Sequence, residues 1–420
     1  MKPNAFSRCW WLFTLTSLAA HAQSFALKDG DRVVFYGDSI TDQRLYTTLT
    51  ETYVVTRFPK LNVQFVHSGW GGDRVTGGGG GPIDVRLQRD VLAYQPTVMT
   101  IMLGMNDGSY RAFDEAIFDR YGKGYQHIIE TVKQKAPALR LTLIQPSPFD
   151  DVTQPPKFEG GYNSVLVRYG QFVKELAEKE HANVADLNTP VAAALEKAKA
   201  ANADLAKQII PDRVHPGPAG HLLMAAALLK SWNAPAIVTA VTIDAAGKKI
   251  ASEKGAKLSG LKFQDELSWS ELDEALPMPV DMNEPVMALA VNSSDFIQTL
   301  DQQTLKVTGL ADARYTLNID GKEVGAFTKE QWAEGINLAT LPTPMVKQAQ
   351  EVHKLTLEHN NVHFQRWRQV QVPLAGEKSA NVRKRITELM ESLDEEEAEV
   401  VTRQRAAAQP VAHKYELVAK

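Results

Sequence analysis

Between Arg32 and Trp232, short apolar runs alternate with longer stretches in which apolar residues recur at helical spacing. The runs 32–36, 62–67, 97–103, 139–145 and 183–186 predict strands. The stretches 44–58, 84–93, 120–135, 162–180 and 189–206, and a last one from Ala219 to Trp232, predict helices. Alternation of this kind argues for β-α units and a parallel sheet covered on both faces, an α/β domain expected over 23–233.

After Ser231-Trp232-Asn233-Ala234-Pro235 the pattern changes to short Val-, Thr- and Ile-rich runs broken by Gly, Asp and Asn, which predicts a β-rich accessory domain over 234–341. Its clearest strands are Ala236–Asp244 and Arg314–Asp320, and Asp320-Gly321 predicts a hairpin turn before Val324–Phe327. From Thr343, the spacing of Met345, Ala349, Val352, Leu355 and Val362 predicts a C-terminal helical segment over 342–420, two helices forming a hairpin packed on the β domain. The acidic run Asp394–Glu399 is expected to be a solvated helix face. The Ala-rich and then polar residues after Gln404 are expected to be frayed. Gly335-Ile336-Asn337-Leu338-Ala339 is distinctive but suggests no chemistry.

Charge adds little to this picture. Lys and Arg total 46 against 50 for Asp and Glu, a net charge of -4, which gives no reason to expect nucleic acid or an anionic membrane as partner. The N-terminus changes more. Lys2 and Arg8, the apolar Trp10–Ala20 and the small-residue site Ala20-His21-Ala22 read as a signal peptide over 1–22, with a periplasmic or extracellular mature chain starting near Gln23. The apolar run falls short of the roughly 20 residues needed to span a bilayer. The single cysteine, Cys9, lies inside this leader, so the mature chain is expected to have no disulfide and no thiolate nucleophile.

Candidate chemistry collects where the predicted strands end, the edge at which open α/β sheets bind ligands. Gly37-Asp38-Ser39 follows the first strand and makes Ser39 a candidate nucleophile, although such a turn is commonly only a helix cap. After the second strand come His67-Ser68-Gly69-Trp70-Gly71-Gly72-Asp73, with Gly72 a candidate backbone donor, and then Gly77–Gly81, read as a flexible surface loop. A phosphate cradle is disfavoured because no Gly-Lys-Ser/Thr follows. After the third strand, Asn106 of Gly104-Met105-Asn106-Asp107 offers a neutral side-chain donor for an anion. Before the last helix, Asp212 stands three residues ahead of His215, a spacing at which the carboxylate accepts Nδ1–H and leaves Nε2 free to serve as base. His221 reads as structural, and a metal site of Asp212, His215 and His221 lacks further ligands.

Together these blocks resemble the SGNH hydrolases, the GDSL-type esterases and lipases, over roughly residues 30–232. The resemblance implies a flavodoxin-like three-layer α/β/α sandwich with a five-stranded parallel sheet. It also implies ester hydrolysis without cofactor or metal through an acyl-enzyme on Ser39, with His215 as base and Asp212 as its orienter. The oxyanion would be held by the backbone N–H groups of Ser39 and Gly72 and by the Asn106 side chain. One departure is His67, where the family's second block commonly begins with Asn. The absence of a lid-like apolar segment favours a polar, short-acyl substrate, a small-molecule or polysaccharide ester such as an O-acetylated carbohydrate. Two alternatives stay open: a lysophospholipase or thioesterase activity, and a non-catalytic glycan-binding protein.

Overall fold

The computed structural model describes residues 24–263 and 266–420; the expected signal peptide and Cys9 lie outside the described residues. Five strands form a wholly parallel sheet: β1 (Arg32–Gly37), β2 (Gln64–Gly69), β3 (Val98–Met102), β4 (Arg140–Gln145) and β5 (Asn183–Asp186), in the order β2-β1-β3-β4-β5. The register Val33↔Phe65 and Val33↔Val98 sets β1 between its neighbours. All five residues of β3 are buried, as a sheet covered on both faces requires. Around it pack α1 (Leu45–Arg57), α2 (Ile83–Asp90), α3 (Glu115–Lys135), α4 (Gly161–Glu180), α5 (Thr189–Ala201) and α6 (Pro218–Ser231). The chain runs from β1 outward to β2 on one side and onward to β3 on the other, so a crevice opens beyond the carboxyl ends of β1 and β3. Among the described residues no helix is long and apolar enough to cross a membrane.

Residues 237–419 add two further sheets. One is an antiparallel five-stranded sheet in the order 256–263, 267–273, 412–419, 314–319, 322–328, and the other joins Ile237–Asp244 and Gln302–Thr308 in parallel. Asp320-Gly321 makes the hairpin turn between Ile319 and Lys322. The end of the chain departs from the expectation of frayed residues. Ala412–Ala419 is the central strand of the antiparallel sheet, with Tyr415 opposite and stacked on Trp269 at 5.1 Å, and Leu417 opposite both Leu267 and Leu317. Two apolar side chains and two ladders of backbone hydrogen bonds hold it. Residues 342–420 are therefore not wholly helical, and this sheet crosses the boundary drawn at 341. The Gly335–Ala339 stretch acts as a structural tie, because Asn337 accepts from Gln303 N at 2.8 Å and donates to Asp301 O at 3.0 Å.

The C-terminal helices α7 (Pro344–Phe364) and α8 (Ala380–Ala407) depart from expectation as well. The first half of α7 packs on the accessory sheets through Met345, Ala349 and Val352. Its second half lies against α1 and β2 of the α/β domain, and buried charges make the joint. Glu51 of α1 accepts from His359 Nδ1 at 2.9 Å and from Gln404 Nε2 at 2.9 Å, and pairs with His67 Nε2 at 3.2 Å, whose Nδ1 meets Thr47 Oγ1 at 2.7 Å. Glu397, from the run read as solvated, turns inward to His359 Nε2 at 3.0 Å.

Burial opposes the charge on His359, but Glu51 and Glu397 on either side outweigh it and raise its pKa to about 10. Burial likewise opposes the Glu51 carboxylate, yet His359 and His67 lower it to about 2. A histidine raised on folding contributes stability that is complete below its unfolded value of about 6.5 and is lost as pH rises through its folded value. Urea unfolding should therefore find Glu51→Gln less stable than the parent chain by a margin that is largest near about pH 6 and shrinks toward about pH 10. An equal margin at both ends would contradict this pairing.

Candidate active site

Ser39 opens a four-residue helical turn directly after β1, and Asp38 caps it by accepting Ile40 N–H at 3.1 Å. Asp38 is buried, and burial, with Asp107 and Asp73 nearby, pushes its carboxyl up to about 7. It is committed to the turn. The Ser39 hydroxyl is half-buried and meets His215 Nε2 at 2.8 Å.

His215 stands in the turn before α6, held entirely by Asp212. One carboxylate oxygen accepts His215 Nδ1–H at 2.7 Å, and the other accepts the backbone N–H groups of Val214 at 2.9 Å and His215 at 2.7 Å. A carboxylate can only accept, so the proton of the imidazole sits on Nδ1 and Nε2 faces Ser39 as an acceptor. Burial alone would raise the Asp212 carboxyl, but these hydrogen bonds with His215 and Val214 hold it below the ordinary value. Between them, Arg213 adopts a left-handed φ of 74° and is anchored to Pro155 O at 2.9 Å. The Asp212 and His215 side chains are 56% and 36% exposed, which leaves the pair open to water.

The glycine block after β2 curls over the same edge. Trp70 N donates to Gly37 O at 3.0 Å and Gly71 N to Asp42 Oδ2 at 3.0 Å, which ties the block to the Ser39 turn. Gly72 has a φ of +78°, a conformation costly for a residue with a side chain. Asn106 follows β3, and its Nδ2 donates to Asp73 O at 3.0 Å, so its amide sits beside the Asp73–Arg74 peptide, one residue beyond Gly72. The structure thus brings Ser39, Asp212 and His215 into one hydrogen-bonded chain and gathers Gly72 and Asn106 around one loop. His221 turns away from them: its Nδ1 accepts from Tyr46 N at 3.2 Å and its Nε2 meets Gln43 Oε1 at 3.0 Å.

Several residues that frame this loop have no signature in local sequence. Asp73 and Asp90 are both fully buried and are bridged by the equally buried Arg86, which donates to Asp73 at 2.8 Å, to Asp90, and to Ser68 O at 2.9 Å. Trp367, from a π-helical stretch Gln365–Gln371 after α7, donates to Asp90 at 2.7 Å. Next to it, Arg368 lies 3.1 Å over the Trp70 ring and 3.5 Å from Asp42. The run Gly77–Gly81 is not a loose loop. It forms a small hairpin folded onto Trp70, where a Cβ on Gly80 would come within 2.7 Å of both Trp70 and Arg86. The only hint of this arrangement in the sequence is the glycine run itself.

Removing one member of a fully buried ion network leaves the others unpaired, at a cost of about 3–5 kcal/mol. Arg86→Ala should lower the unfolding free energy by about that amount in urea titration, because it strands the buried Asp73, while Asp90 keeps Arg89 and Trp367. A loss below about 1 kcal/mol, typical of an exposed pair, would show that the bridge is not needed.

A solved structure of a gut microbial diltiazem-metabolizing enzyme aligns with 94% of this chain and 98% of its own, at 25% identity and a TM-score of 0.80, so the accessory sheets and C-terminal helices recur there too. An acetylxylan esterase of Geobacillus stearothermophilus is 26% identical over 228 residues, 48% of this chain and 93% of that protein. Residues 35–223 match the GDSL-like Lipase/Acylhydrolase family. Over residues 35–223 the α/β domain is thus a GDSL-like acylhydrolase domain, and the chain is an ester-bond hydrolase.

Proposed function

We propose that this chain is an exported serine esterase that removes short acyl groups, chiefly acetyl, from carbohydrates through an acyl-enzyme. The observation that carries the reading is the unbroken hydrogen-bond path Asp212–His215–Ser39, with contacts of 2.7 and 2.8 Å. His215 Nε2 takes the Ser39 proton as Oγ attacks the ester carbonyl; Asp212 holds the ring and stabilises the imidazolium that forms. The tetrahedral oxyanion is held by the backbone N–H groups of Ser39 and Gly72 and by the Asn106 side chain. His215 then protonates the departing alcohol, activates water against the acyl-Ser39 ester, and returns the proton to the serine as the acid is released.

The acyl and alcohol preferences rest on the acetylxylan esterase likeness and on the openness of the Asp212–His215 edge to solvent, which suits a bulky polar alcohol. A second reading, a small-molecule ester, is favoured by the whole-chain likeness to a diltiazem-metabolizing enzyme. Export rests on the sequence before Gln23.

A fluorophosphonate probe should label the parent chain and not Ser39→Ala. Equal labelling of both would remove Ser39 as nucleophile. Nitrophenyl acetate should be hydrolysed far faster than long-chain nitrophenyl esters, with acetate released from acetylated xylan; preference for long chains would overturn the substrate class.

A further inference from the structure

Asn106 carries its proposed oxyanion role only if its amide is held in one orientation. Terminal amide torsions are broad and roughly two-fold, so backbone placement alone does not fix the direction of the N–H groups. The contacts assign the atoms. Asp73 O can only accept, which makes the Asn106 atom 3.0 Å away the nitrogen; the oxygen then faces Tyr110 Oη at 2.9 Å, and the phenol donates. With Oδ1 taken by Tyr110 and one N–H taken by Asp73, the amide has one N–H left.

Tyr110 is itself held in place. The residue is 43% exposed, yet its hydroxyl turns inward to Asn106. Tyr162 packs against the ring at 5.1 Å and Phe149 at 6.3 Å, and Tyr162 in turn donates to Met105 O at 2.6 Å, beside Asn106. Ser109 and Tyr110 are consecutive non-glycine residues in the left-handed region, with φ of 59° and 54°. Backbone strain of this kind persists where the surroundings over-determine it, and it clusters at functional sites. Burial, with Asp38 and Asp212 nearby, pushes the phenol up to about 12, so it remains a proton donor at neutral pH.

We propose that Tyr110 is the positioning residue of the oxyanion site: its hydroxyl locks the Asn106 amide so that the free N–H stays available to the carbonyl oxygen in the transition state. This rests on the donor role proposed for Asn106, and a double-mutant cycle separates the two. Steady-state hydrolysis of nitrophenyl acetate is measured for the parent chain, Tyr110→Phe, Asn106→Ala and the double variant, with thermal midpoints recorded alongside. Asn106→Ala should lower kcat about a hundredfold or more. Tyr110→Phe keeps the ring and its packing, and should lower kcat about tenfold with KM little changed. Added to Asn106→Ala, the tyrosine change should cost less than about twofold, because its partner is already gone.

Full kcat in Asn106→Ala would remove the donor role itself. A slow Asn106→Ala with Tyr110→Phe at parental kcat, or with the same tyrosine effect in both backgrounds, would leave the donor role standing and overturn the role of Tyr110. A tyrosine effect confined to KM would do the same, and would mark Tyr110 as a substrate contact.

Discussion

The buried guanidinium of Arg86 is the constraint on which the site's framework depends. Three elements meet at it: the Gly72 loop through Asp73, the α2 helix through Asp90, and β2 through the Ser68 carbonyl. Charges are kept out of water only when they are paired, and here the cation meets two carboxylates and a carbonyl. Tyr36 and Trp70 flank the cation at 5.0 and 5.2 Å. The loop that bears Gly72 is thus held from beneath by an ionic lattice, while Asn106 reaches it from the side through Asp73 O. The Ser39 turn is joined to the same loop through Asp42 and Gly71.

Rigid and open parts of the site fall on different elements. The supports are buried, whereas the Asp212–His215 turn stands toward solvent. The C-terminal region belongs to the rigid side. Trp367 closes the lattice at Asp90, Arg368 covers Trp70, and α7 docks through Glu51, His359 and Glu397. His67 forms part of that docking joint through Glu51. The whole-chain likeness to the gut microbial enzyme covers the C-terminal helices as well.

How much of this could be read from sequence follows from the range of the interactions. The parallel sheet is legible because buried strands are continuous apolar runs, and the five expected strands lie within two residues of those observed at either end. Asp212 and His215 are legible because a single turn holds both. Ser39, Gly72 and Asn106 are legible only as a set, since each alone has a commoner structural explanation. Trp367 and Asp90 lie 277 residues apart, and no local pattern links them. Glu397 sits in a run of five carboxylates within six residues, and only the packing of α8 against α7 selects the one that turns inward. The strand Ala412–Ala419 buries just Tyr415 and Leu417, so its composition looks like that of a frayed tail, although its backbone is paired on both sides.

In the proposed mechanism, ester cleavage passes through a covalent acyl group on Ser39, poised by the path to Asp212. Intact-mass spectrometry of the chain, quenched during turnover of an acetyl ester and followed by peptide mapping, tests it most directly. A single acetyl adduct is expected on the peptide containing Ser39, absent in Ser39→Ala. Undiminished ester hydrolysis by Ser39→Ala, with no adduct in either protein, would contradict it.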